Sequence, residues 1–143
     1  MSKKLFLLPV LMLVLAAGAL TTSCNKDCET KQSNYTGTYL ASESCSISGT
    51  GSYSVQVSEG AADNEILFTN FSDFYSNTVK ATIDCDNITI SSQDPDSDNY
   101  IVEGSGTRTK DGDRVTLSIN FSITGENNQG QVVTNTCDVT LTK

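Results

Sequence analysis

Apolar residues in the body of this chain recur at every second position rather than every third or fourth. The clearest run is Val115, Leu117, Ile119, Phe121 and Ile123, each separated from the next by a polar residue. A period of two lines one face of a pleated strand with apolar side chains. Eight such segments are predicted: 37–47, 52–58, 64–69, 78–84, 87–91, 100–107, 114–123 and 131–142. Their inward faces carry Tyr39, Ala41, Cys45 and Ile47 in the first, Tyr53, Val55 and Val57 in the second, and Ile66 and Phe68 in the third. No stretch places apolar residues at helical spacing over three turns.

The links between segments are short. Lys110-Asp111-Gly112-Asp113 contains Asp-Gly, a two-residue hairpin signal, and Asp84-Cys85-Asp86-Asn87 is a second tight turn. Gly125 to Gly130 forms a polar loop. Successive strands joined this way are antiparallel neighbours in up-and-down order. The expected fold is therefore all-β, an eight-stranded antiparallel barrel, with a β-sandwich as the alternative. If the first and last strands pair, Tyr39 comes near Leu141 and Cys45 near Cys137, joining the edges that closure must bring together.

The first residues follow a different pattern. Lys3 and Lys4 precede sixteen mostly apolar residues, Leu5 to Leu20. That run is too short to span a bilayer and fits the apolar region of a secretory signal. Cleavage after Ala17-Gly18-Ala19 would release a soluble protein. Thr22-Ser23-Cys24 instead resembles a bacterial lipoprotein box, whose cysteine becomes the acylated N-terminus. Cysteine parity favours the second: of five cysteines, setting Cys24 aside leaves Cys28, Cys45, Cys85 and Cys137, an even number for an exported domain. The expected organisation is a lipoprotein signal at 1–23, a polar tether at 24–35 and a barrel domain at 36–143. Cys45–Cys137 is the expected first disulfide, leaving Cys28–Cys85 as the second.

Gly37-Thr38-Tyr39 at the head of strand one, eight meandering strands and an acylated N-terminus resemble the small lipocalin-like lipoproteins of Bacteroidota-type bacteria. That family opens its first strand with Gly-x-Trp. The resemblance implies that Tyr39 takes the Trp place and caps the closed end of a barrel able to bind small apolar ligands. Arg108 and Arg114 do not occupy the place of the family's last-strand Arg.

Composition then narrows the chemistry. There is no histidine, which excludes Ser-His-Asp and Cys-His catalysis and histidine-ligated zinc. Lys and Arg number 9 against 17 Asp and Glu, a formal charge of −8, so nucleic acid is not an expected partner. No phosphate-cradling glycine loop, Cys-x-x-Cys pair or nucleophile elbow occurs, and neither enzymatic activity nor a cofactor is expected. Asp94, Asp96 and Asp98 alternate like the start of a calcium loop, a weak metal candidate that lacks the required glycine and closing glutamate. Phe71, Phe74 and Tyr75 fall on one face of a single helical turn that Asn70 can cap. That turn reads as a plug sealing the barrel, or as an exposed aromatic platform for a sugar or apolar ligand. The functional expectation is a non-enzymatic binding or interaction module of the bacterial envelope, held to the membrane by its acyl chains. The alternative is a carrier of a small apolar or sugar ligand. The partner, protein or small molecule, is not specified by the sequence.

Overall fold

The structure, a computed structural model, describes residues 28–143. The signal at 1–23, Cys24 and the first residues of the tether lie outside the described residues. Eight antiparallel strands, β1 (Gly37–Cys45), β2 (Gly49–Glu59), β3 (Glu65–Thr69), β4 (Val79–Asp84), β5 (Asn87–Gln93), β6 (Ile101–Asp111), β7 (Arg114–Glu126) and β8 (Val132–Thr142), follow one another around a closed barrel. The sandwich alternative falls, because β1 pairs with β2 on one side and β8 on the other.

The seam between β1 and β8 sets Cys45 opposite Cys137 and Ala41 opposite Leu141. Both expected disulfides are present: Cys45–Cys137 ties this seam with Cα atoms 4.0 Å apart, and Cys28–Cys85 has a Cα separation of 5.2 Å. Tyr39 sits two residues closer to the base than expected, past the last β8 partner rather than beside Leu141. The β6–β7 hairpin is likewise centred on Gly112-Asp113, with Asp111 paired to Arg114, and Gly112 at φ 59° supplies the left-handed backbone the turn needs. Gly125 belongs to β7, and the polar loop is confined to the residues beyond Glu126.

One face of every strand points inward and is buried: Tyr39 and Ala41 from β1, Val55 and Val57 from β2, Ile66 and Phe68 from β3, and so on to Val139 and Leu141. β6 contributes almost no bulk at Gly104 and Gly106. A Cβ at Gly104 would stand 2.6 Å from that of Phe121, and one at Gly106 would stand 2.8 Å from Ile119 Cγ1. The glycines let β7 press its large side chains against the β6 backbone, so this wall is filled from across the sheet. Ile47, expected inward, is 65% exposed because β1 ends at Cys45 and the residue lies in the turn beyond.

The base of the barrel holds the ends of β2, β4, β6 and β8. The segment 28–35, expected as part of a polar tether, packs across it. Gln32 Nε2 donates to the carbonyls of Gly60, Ala62 and Glu65 at 2.6–3.1 Å, and Tyr35 is buried with its hydroxyl on the Cys85 carbonyl at 2.5 Å. The Tyr39 hydroxyl donates to the Tyr35 carbonyl at 2.7 Å. Arg108 lies over the Tyr35 ring and Lys143 Nζ over the Tyr39 ring, 5.5 and 4.9 Å from the centroids. The cation over the first-strand aromatic thus comes from Lys143, a residue the sequence reading passed over. Arg108 also donates to the Asn34 carbonyl and pairs with Asp86.

Two outcomes follow from this construction. The double variant Cys45→Ala/Cys137→Ala opens a loop of 92 residues in sequence, and should lose roughly 4–5 kcal/mol of unfolding free energy in the chain-entropy account. A denaturant midpoint equal to wild type would show that strand pairing alone holds the seam. The second outcome is alkaline. Burial, then the Asp86 charge, pushes the Tyr35 hydroxyl up to about 12 from 10.0, and burial pushes Tyr39 to about 12 as well. The unfolded chain ionises first, so stability is full below pH ~10 and is lost as pH rises toward ~12. Thermal melts from pH ~8 upward should decline less steeply for Tyr35→Phe/Tyr39→Phe than for wild type.

Candidate functional site

The opposite end, the mouth, is formed by the β1–β2 turn, the long 70–78 connection between β3 and β4, and the β5–β6 and β7–β8 loops. The 70–78 connection crosses it as a plug, but not as a regular helical turn. Asn70, Ser72 and Asp73 have φ of 62°, 60° and 48°, and only Phe71–Asp73 form a short 3₁₀ turn. Left-handed residues break the helical spacing, so the three aromatics do not share a face. Phe71 is fully buried, its ring 5.3 Å from Phe68 and 4.8 Å from Phe121. Tyr75 is buried too, whereas Phe74 turns outward and is 46% exposed. The plug reading holds for Phe71 and Tyr75, and Phe74 is the part left to solvent. Asn70 makes no cap. Its side-chain amide donates to the Ser54 carbonyl at 2.9 Å and anchors the turn to β2.

Beneath the plug lies a buried carboxylate. Glu43 stands on the inward face of β1, its Oε2 accepting from the Tyr53 hydroxyl at 2.5 Å and its Oε1 from the Ser72 hydroxyl at 2.9 Å. Burial, and next the bond to Glu43, drives the Tyr53 hydroxyl far above the ordinary tyrosine range. Chemically this is a latch: one carboxylate ties β1, β2 and the plug together, satisfying its own charge with hydroxyl donors. Glu43 also meets Cys45 and Cys137, but those sulfurs are bonded to each other and offer no thiolate to a metal.

Position 43 has the same parity as Tyr39, Ala41 and Cys45, so alternation alone marks it as inward. The expected inward list for strand one omits it because glutamate reads as a surface residue.

The three aspartates of the β5–β6 loop hold backbone rather than gather around a common point. Asp96 accepts from the amides of Ser76 and Asn77 at 2.8 and 2.7 Å, fastening the end of the plug, and those bonds hold its carboxyl below the ordinary range. Asp94 accepts from the amides of Asp98 and Asn99, and Asp98 from that of Tyr100. Their combined charge is felt at Tyr75, whose hydroxyl is raised first by burial and then by Asp98, Asp94 and Asp96.

Above the plug runs a groove of about 250 Å³ lined by Ile47, Phe74, Tyr100, Ile123 and Val133, with Ser72 and Asp73 at its edge. The Phe74 and Tyr100 rings meet edge to face at 5.3 Å. Tyr100 lies flat against β7, where a Cβ at Gly125 would stand 2.4 Å from its ring. Through Tyr100 and Gly125 the groove runs into a wider hollow bordered by Asp98, Glu126 and Val132. Sequence patterning could not find this groove, since its walls come from loops and strand ends that meet only after closure.

The plug makes a direct test. Phe71→Ala should cost roughly 3–5 kcal/mol in a denaturant melt. Phe74→Ala should cost no more than about 1.5 kcal/mol, the scale of its aromatic pair contacts. Equal losses would mean that Phe74 seals the barrel as Phe71 does. Compared with known proteins, the chain matches no family and no curated sequence.

Proposed function

We propose that this protein is a membrane-anchored envelope lipoprotein of the lipocalin-like type, acting as a non-enzymatic interaction module through the mouth of its barrel. The observation that carries this reading is the opposition of the two ends. Cys28 is bonded to Cys85 at the base, on the side away from the groove. Cys24 precedes Cys28 by four residues, a stretch of chain that reaches roughly 14 Å at most. Acyl chains on Cys24 would hold the base against the membrane and turn the mouth outward. Two disulfides suit an oxidising, extracytoplasmic compartment.

The interior supports interaction over carriage. Phe68, Phe71 and Phe121 are buried against one another where a ligand would have to enter. Cells fed a clickable fatty acid should label wild-type protein and leave Cys24→Ala unlabelled. Equal labelling, or none in either, would remove the anchor from this reading.

A further inference from the structure

Acidic groups of the described residues lie at both ends, but the cations gather at one. Lys31, Arg108, Lys110, Arg114 and Lys143 all lie at the base, and Lys80, on the outer wall of β4, is the remaining cation. Both ion pairs among the described residues, Lys31–Glu29 and Arg108–Asp86, are also at the base. The mouth carries Asp73, Asp94, Asp96, Asp98 and Glu126 without a neighbouring lysine or arginine within ion-pair distance among those residues.

This uncompensated charge flanks the apolar groove. Asp73 stands at one edge, while Asp98 and Glu126 border the continuation past Tyr100. Ile47, Phe74 and Val132 are 65%, 46% and 70% exposed, an apolar strip that water solvates poorly. A second copy of the same acidic mouth would be repelled. A neutral apolar ligand would leave the carboxylates unused.

We propose that the groove is a docking site for a basic peptide segment, which seats an apolar side chain among Phe74, Tyr100 and Val133 and meets Asp73, Asp98 and Glu126 with lysine or arginine. The proposal rests on the interaction-module reading and names the partner chemistry of the same mouth. Apolar contact supplies the residence time. The carboxylates supply steering and select sign.

The test uses the full chain, reconstituted in zwitterionic lipid vesicles, and fluorescein-labelled short peptides in which leucine and phenylalanine alternate with lysine, with glutamate or with serine. Anisotropy, corrected for empty vesicles, should show binding of the lysine peptide, weakening as ionic strength rises, and no binding of the glutamate peptide. Phe74→Ser/Val133→Ser should lower affinity about tenfold, in keeping with loss of one buried aromatic contact. Asp73→Asn/Asp98→Asn/Glu126→Gln, on exposed side chains and with amides that can still accept the Tyr100 bond, should lower affinity and flatten the salt dependence. Glu59→Gln/Asp113→Asn at the base should leave it within twofold.

Equal binding of the lysine and serine peptides would overturn the proposal in favour of a neutral apolar ligand. Equal weakening by the mouth and base variants would overturn it in favour of bulk attraction to an acidic protein. Lack of binding by protein that remains on the vesicles overturns the peptide and leaves the anchor standing. Protein that washes off the vesicles overturns the anchor, and the peptide is then judged by binding to the released protein.

Discussion

The pairing of β1 with β8 is the constraint on which the rest of the structure depends. A sheet with one apolar face and two free edges must cover both liabilities, and joining the edges does so in one step. Once Cys45 faces Cys137, the register of every strand follows from its neighbour, and each inward parity is set. The seam also decides which end is which. Glu43 lands just inside the mouth, and Tyr39 lands at the base under Lys143.

Closure leaves the interior to be filled, and the filling is unevenly supplied. β6 gives glycine where β7 gives Phe121 and Ile119, so two strands share one layer of bulk. At the mouth the final layer comes from Phe71, delivered by a connection rather than a strand. An aromatic carried on a loop needs fixing, which explains the density of bonds there: Glu43 to Ser72, Asn70 to Ser54, Asp96 to the amides of Ser76 and Asn77. The left-handed residues are the cost of turning Phe71 down into the barrel while Phe74 turns out.

Much of the fold was legible because strand alternation is a local signal. Val115 through Ile123 announce their face without reference to any other segment, and the seam could be inferred once two cysteines shared the inward parity of the first and last strands. The mouth was less legible. Phe71, Phe74 and Tyr75 have helical spacing, yet backbone angles at Asn70, Ser72 and Asp73 separate them, and nothing in those residue types demands that. Glu43 was marked by parity but hidden by its charge, since an inward carboxylate makes sense only when Tyr53 and Ser72 are known to meet it. The groove draws Ile47, Tyr100 and Val133 from three separate connections or strand ends, and no pattern along the chain links them.

The Cys28–Cys85 bond has a mechanical consequence. In a ring of eight strands the β4–β5 hairpin lies across the barrel from the β1–β8 seam. The chain arriving from the N-terminal side is bonded to that hairpin tip before it crosses the base to enter β1. A pull on the N-terminal side therefore enters the barrel at the hairpin and bypasses the chain leading into β1. Strand β1 cannot be peeled from its neighbours like the end of a ribbon, because the load never reaches its free end. Force would have to rupture a covalent bond or tear a hairpin out of the middle of a continuous sheet, and the seam that everything else rests on is shielded from it.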